Sequence, residues 1–179
     1  MTLTDEQIVA QIVGGDSQKY ELIVARYQKK LGRYIKRLTN RQEEVDDLLQ
    51  EVFIKAYQNL RRFNQKLQFS SWIYRIAHNE SVNLIKSSWI QKITSLEPLL
   101  LLGDTKNQIE EKLEQKQLAQ KMADCLKQLP VKYREPLILY YFEDKSYQEI
   151  SDILRLNSQT VGVLIYRGKV KLKTLCQNK

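Results

Sequence analysis

Apolar residues in this chain recur mostly three and four positions apart, the spacing of one face of an α-helix. The clearest run is Val45, Leu48, Leu49, Val52, Phe53, Ala56, Tyr57 and Leu60, which predicts an amphipathic helix. Upstream, Thr4 and Gln7 have the spacing of a capping box, opening a helix with Ile8, Val9 and Ile12 that stops at Gly14-Gly15. Asp16 or Ser17 caps a second helix, with Ile23, Tyr27, Leu31, Ile35 and Leu38 facing inward and Arg26, Lys29, Lys30, Arg33, Lys36 and Arg37 facing outward. The stretch RRFNQKLQFSS, residues 61–71, breaks the period and reads as a polar loop. A further helix follows from about Ser71 to Ser87, with Ile73, Ile76, Ala77 and Leu84 inward.

The pattern lapses over residues 91–115. There a proline, a short apolar run and a glycine replace the helical period, and the net charge is −2. Such a segment predicts a linker, because structureless loops of this length are uncommon inside one domain. Helical spacing resumes with Leu118, Met122, Cys125, Leu126 and Leu129, ended by Pro130, and Leu137, Ile138, Tyr141 and Phe142 are the next core candidates. Ser146 then caps a short helix whose Tyr147, Ile150 and Leu154 share a side. A turn at about Arg155–Asn157 leads into LNSQTVGVLIYRGKVKLK, residues 156–173. Two short helices joined by a tight turn, the second with a capped start and a basic end, follow helix-turn-helix grammar. The fold expected is all-α: two small helical domains, residues 1–90 and 116–179, joined by a flexible linker over 91–115.

Charge narrows the partners. Over 179 residues the net charge is +8, which favours a polyanion. Cys125 and Cys176 match no metal spacing, and Cys125 on an apolar stripe reads as a buried free thiol. With His78 the sole histidine, no metal site is expected. The N-terminus lacks a signal peptide's apolar core, and no run is long enough to span a bilayer, so a reducing cytoplasm is the expected location.

Two constellations stand out. Asp47, Gln50 and Glu51 share one polar face of the third helix. Without a second histidine or a glycine-rich phosphate loop they suggest no catalysis. They suit docking onto a partner's Arg or Lys, although from spacing alone a plain solvated face is the favoured reading. In residues 61–86 aromatics (Phe63, Phe69, Trp72, Tyr74) interleave with cations (Arg61, Arg62, Lys66, Arg75, Lys86) and amides (Asn64, Gln68, Asn79, Asn83). Single-stranded nucleic acid sites combine these ingredients, though Phe63, Phe69 and Trp72 also read as core residues.

DLLQEVFIKAY, FSSWIYRIAHN, LPVKYREPLILYYFEDKSYQEISDIL and YRGKVKL, in that order, resemble the extracytoplasmic-function (ECF) sigma factors of bacterial RNA polymerase. The resemblance covers nearly the whole chain. It implies a non-enzymatic protein, needing no cofactor, that binds core RNA polymerase and promoter DNA. In the N-terminal domain, region 2, Asp47, Gln50 and Glu51 would face the β′ clamp helices. Lys66, Gln68, Ser70, Trp72, Arg75, Asn79 and Asn83 would hold the melted −10 element. In the C-terminal domain, region 4, Ser158, Gln159, Thr160, Tyr166, Arg167 and Lys169 would meet the −35 element, beside a contact with the β flap. An anti-sigma factor is implied as a further partner.

Many members of this family carry a basic residue, a serine and an arginine where this chain has Gly162, Val163 and Leu164. The expectation is therefore an unusual −35 sequence or heavier reliance on DNA shape and −10 contacts. A close approach to the DNA backbone would justify Gly162. The rival readings are a stand-alone helix-turn-helix regulator, which needs no docking patch, and a sigma-like decoy that sequesters an anti-sigma factor.

Overall fold

The computed structural model describes residues 3–64, 67–94 and 120–177, with backbone alone for 88–94. Among these residues every regular element is a helix. The first half holds α1 (Asp5–Val13), α2 (Tyr20–Thr39), α3 (Val45–Asn59) and α4 (Phe69–Thr94). The second holds α5 (120–128), α6 (Val131–Phe142), α7 (Tyr147–Leu154) and α8 (Ser158–Gln177). The linker expected over 91–115 lies outside the described residues except at 91–94, which continue α4.

Local chemistry places several boundaries. Thr4 and Gln7 form the reciprocal capping box expected of them, and Ser146 with Glu149 forms a second one at the start of α7. Burial pushes the Glu149 carboxyl up, but donors from Ser146 and Lys145 outweigh it and leave the group below its ordinary value. α2 starts later than expected: a single 3-10 turn, Ser17–Lys19, precedes it, and Asp16 makes no side-chain cap.

The first four helices bury the faces their spacing predicts, including Ile8, Val9, Ile23, Leu31, Ile35, Leu38, Val52 and Ala56. The 61–71 stretch departs from a polar loop. Phe63 and Phe69 are buried, and their rings pack with Trp72 at centroid distances of 5.3–5.5 Å. This aromatic cluster seats the start of α4, two residues ahead of the predicted position.

In the second half α6 and α8 pack tightly against each other at Gly168, which is buried. A Cβ there would meet Leu137 Cδ1 at 3.0 Å and the Tyr133 carbonyl oxygen at 3.1 Å. Three apolar residues expected in the core are exposed: Met122, Tyr141 and Phe142. The core of this small unit is filled by Leu126, Leu129, Leu137, Ile138, Leu139, Ile150, Ile153, Val161 and Ile165, so the end of α6 projects beyond it.

Cys125 is buried as expected but is not a free thiol: it is joined to Cys176 by a disulfide. Sequence separation hid the pairing, because α5 and the end of α8 are neighbours in space, with a Cα–Cα distance of 5.7 Å. The bond closes a loop that holds all of α6 and α7. Cys125→Ser is expected to lower the stability of the oxidised α5–α8 unit by about 2–4 kcal/mol. Differential melting with and without reductant checks this: the wild type should shift and the variant should not.

The two halves pack on each other through α4 against α7 and α2 against α6. The contact is rich in polar groups. Tyr34, fully buried, donates from its hydroxyl to Glu135 Oε1 at 2.7 Å, and His78 Nδ1 also meets that carboxylate. Tyr74 donates to Glu143 Oε2 at 2.7 Å, and Arg37 approaches the same carboxylate at 3.4 Å while stacking over Phe142.

Candidate nucleic-acid interface

Asp47, Gln50 and Glu51 are all exposed on α3. Glu51 pairs with Lys55 at 2.7 Å, and Lys55 reaches across to Glu80 of α4 at 2.6 Å, which ties the patch to a rigid two-helix platform. Beside it, Tyr20, Val24, Phe53, Ile54 and Tyr57 line an open apolar hollow of about 760 Å³, with Gln50 on its edge. Ile54 and Tyr57 are half exposed. The helical period placed Tyr57 inward; instead it forms an apolar centre next to a polar margin, the anatomy of a protein-docking surface.

The residues expected to hold single-stranded DNA divide. Gln68, Asn79 and Asn83 are exposed, whereas Ser70, Trp72 and Arg75 are partly covered. Lys66 lies outside the described residues. Among the four aromatics, Phe63, Phe69 and Tyr74 are core, which leaves Trp72 alone with a partly open ring. Arg75 Nε donates to the Asp152 carbonyl of α7 at 2.9 Å, and Lys145 donates to Ser70 Oγ. Burial, and then the nearby charge of Arg155, push the Arg75 guanidinium below its ordinary value. The Asp152 charge only partly offsets this, and the described hydrogen bond is to a neutral carbonyl, so a phosphate that accepts directly would be a stronger partner.

On α8, Asn157 caps the helix: its Oδ1 accepts from the Thr160 amide at 2.7 Å. Ser158 and Thr160 are half-buried, whereas Gln159, Tyr166, Arg167 and Lys169 are exposed. α8 carries Arg167, Lys169, Lys171 and Lys173 and no acidic residue. At Gly162 a Cβ would meet only the Tyr147 ring, at 3.4 Å, an ordinary van der Waals contact, so the packing of α7 against α8 does not itself demand a glycine there.

Residues 23–90 match the family Sigma-70 region 2, and residues 119–172 match Sigma-70, region 4. The chain is 31% identical to the ECF RNA polymerase sigma-E factor of Escherichia coli (strain K12), over 93% of this chain and 91% of the relative. The chain belongs to the ECF family of sigma factors. It is also 29% identical to the ECF RNA polymerase sigma factor SigW of Bacillus subtilis (strain 168), over 97% of each. Its fold is that of CnrH in complex with the cytosolic domain of CnrY, with a TM-score of 0.75 over 98% of both chains at 23% identity.

In sigma-factor terms, region 2 spans the exposed α3 patch and the α4 face, and region 4 supplies α8. Sequence reasoning missed the residues that join the regions. Tyr34, Glu135 and Glu143 look like ordinary surface residues in a helical pattern, and their partners lie more than fifty positions away. Burial holds the Tyr34 hydroxyl well above its ordinary value, reinforced by the charge of Glu135, and burial raises the Glu143 carboxyl too. Among the described residues no helix is long and apolar enough to cross a membrane.

Proposed function

We propose that this chain is a non-enzymatic initiation factor of the cytoplasm that binds core RNA polymerase and directs it to promoters. Asp47, Gln50 and Glu51, with the apolar centre at Ile54 and Tyr57, would take the β′ clamp helices. The loop and helix from Phe63 to Asn83 would hold the melted −10 strand, and α8 would enter the major groove of the −35 element beside the β flap. An anti-sigma factor would compete for the same surfaces. Domain limits of 1–90 and 116–179 fit this division.

The observation that carries the reading is the order of surfaces on one chain. An exposed polar patch on α3, an amide-bearing face on α4 and an acid-free basic helix follow one another along the two stretches that match sigma regions 2 and 4. The test is transcription with purified core polymerase on fragmented genomic DNA, with 5′ ends mapped. Discrete starts support the reading; polymerase binding without starts would favour the decoy.

Arg75 and Ser70 bear on how it would work. Both are occupied by α7 and the turn before it, so holding the −10 strand would require region 4 to leave region 2. Asn79, already exposed, is the cleaner probe of base contact. Asn79→Ala is expected to lower promoter opening about tenfold, from the loss of one base-edge contact, with polymerase binding unchanged. Permanganate reactivity of −10 thymines, beside a polymerase pull-down, measures the two separately.

A further inference from the structure

The outermost face of α8 is apolar where a reading helix usually carries donors. Gln159, Val163, Tyr166 and Val170 follow one another at spacings of four, three and four and form one stripe. They are not core residues turned outward by a break in the helix. Val161, Ile165 and Gly168 are buried on the opposite side, and α8 is regular from Ser158 to Gln177. Val163 is 47% exposed, Tyr166 70% and Val170 51%. Arg167 flanks the stripe on one side, and Lys169 and Lys173 on the other. Both margins are basic, and no acid interrupts them.

Basic margins on either side of an apolar centre fit a duplex groove, with phosphates at the edges and bases in the middle. The first turns of a recognition helix are the ones that meet base edges. There this chain offers an amide at Gln159, a bare backbone at Gly162, and then Val163 and Tyr166. A valine neither donates nor accepts. The major-groove feature it can recognise is the C5-methyl group of thymine, the apolar element of the base-edge code. Gly162 leaves room beside it, because the Tyr147 ring below is the only contact a Cβ there would make within 4 Å. A cytosine amine against Val163 would lose its water without gaining an acceptor, so cytosine is disfavoured.

We propose, resting on the sigma-factor reading above, that this chain selects its −35 element through thymine methyl groups. Val163 and Tyr166 receive the methyls, and Gln159 pairs with an adenine edge. The −35 element is accordingly rich in A·T pairs, without the guanine contacts that arginine would make.

The test removes the methyl and nothing else. Full-length protein with core polymerase is bound to a promoter identified by 5′-end mapping, and each −35 thymine is replaced in turn by deoxyuridine. Loss of a buried methyl is expected to weaken binding about fourfold at one or more positions. With Val163→Ala, the response should vanish at one of those positions and persist at the others. Val163 is on the surface, so the variant folds. Circular dichroism confirms this, and unchanged binding to core polymerase in a pull-down without DNA provides the internal control. An intact −35 footprint with a flat deoxyuridine scan would overturn the proposal and leave the sigma reading standing. A response that survives Val163→Ala would overturn the assignment to this residue. No −35 footprint at all on a promoter that still gives a discrete start would also overturn the proposal and leave a sigma factor that relies on its −10 contacts.

Discussion

Removing the Glu135 carboxylate is expected to open the protein. Its oxygen accepts from Tyr34 and meets His78, in the middle of the contact between the two regions. Tyr34 is fully buried, so Glu135→Ala would leave its hydroxyl without an acceptor. Such an orphaned group costs about 1–3 kcal/mol, a shift of roughly 5- to 150-fold toward separated regions. Small-angle scattering should show a larger radius of gyration. The freed Arg75 and Ser70 should let the variant bind single-stranded −10 DNA without polymerase. Glu135 belongs to α6, so the substitution could instead disturb region 4. Tyr34→Phe attacks the same contact from region 2 and leaves α6 untouched. If both variants expand and bind the strand, the contact is the latch. If Glu135→Ala alone does so, and its region 4 melts early, the effect is a folding one.

The double variant Asp47→Ala/Glu51→Ala is expected to abolish promoter-dependent transcription. Both residues are exposed, so folding should be unaffected, and the only described partner lost is Lys55 on the same helix. Truncating charged groups at a protein interface costs about 2–5 kcal/mol each where the partner charge is left buried. Transcription and polymerase pull-down should therefore both fall more than tenfold. Duplex −35 affinity measured without polymerase should stay the same. Full transcription and pull-down in the double variant would remove the docking role from this patch, whereas −35 binding by a wild type that never captures polymerase would mean that the protein acts alone on DNA, as a helix-turn-helix regulator does.

Both variants concern features that the sequence revealed unequally. The inward face of α3, the caps at Thr4 and Ser146, and the polar patch at Asp47 were legible because each depends on residues within a few positions of one another. The family motifs were legible for the same reason. What joins the halves was not. Tyr34 and Glu135 are 101 positions apart, and nothing about either residue names the other. Cys125 and Cys176 escaped in the same way. Tyr141 and Phe142 misled in the opposite direction. They are apolar enough for a core, but region 4 is small, and its interior is complete before α6 ends.

The two glycines of α8 differ in what they permit. At position 168 any side chain would run into the Tyr133 backbone and Leu137, tilting the helix on its support. At position 162 an added methyl would meet one aromatic ring at 3.4 Å, which a small ring movement can absorb. The inward side of α8 is thus fixed by the scaffold, while its outward side can be rewritten. Substitutions at 159, 162, 163 and 166 could be exchanged as a set to redirect the protein to a different promoter class, with the docking surface and the fold left as they are.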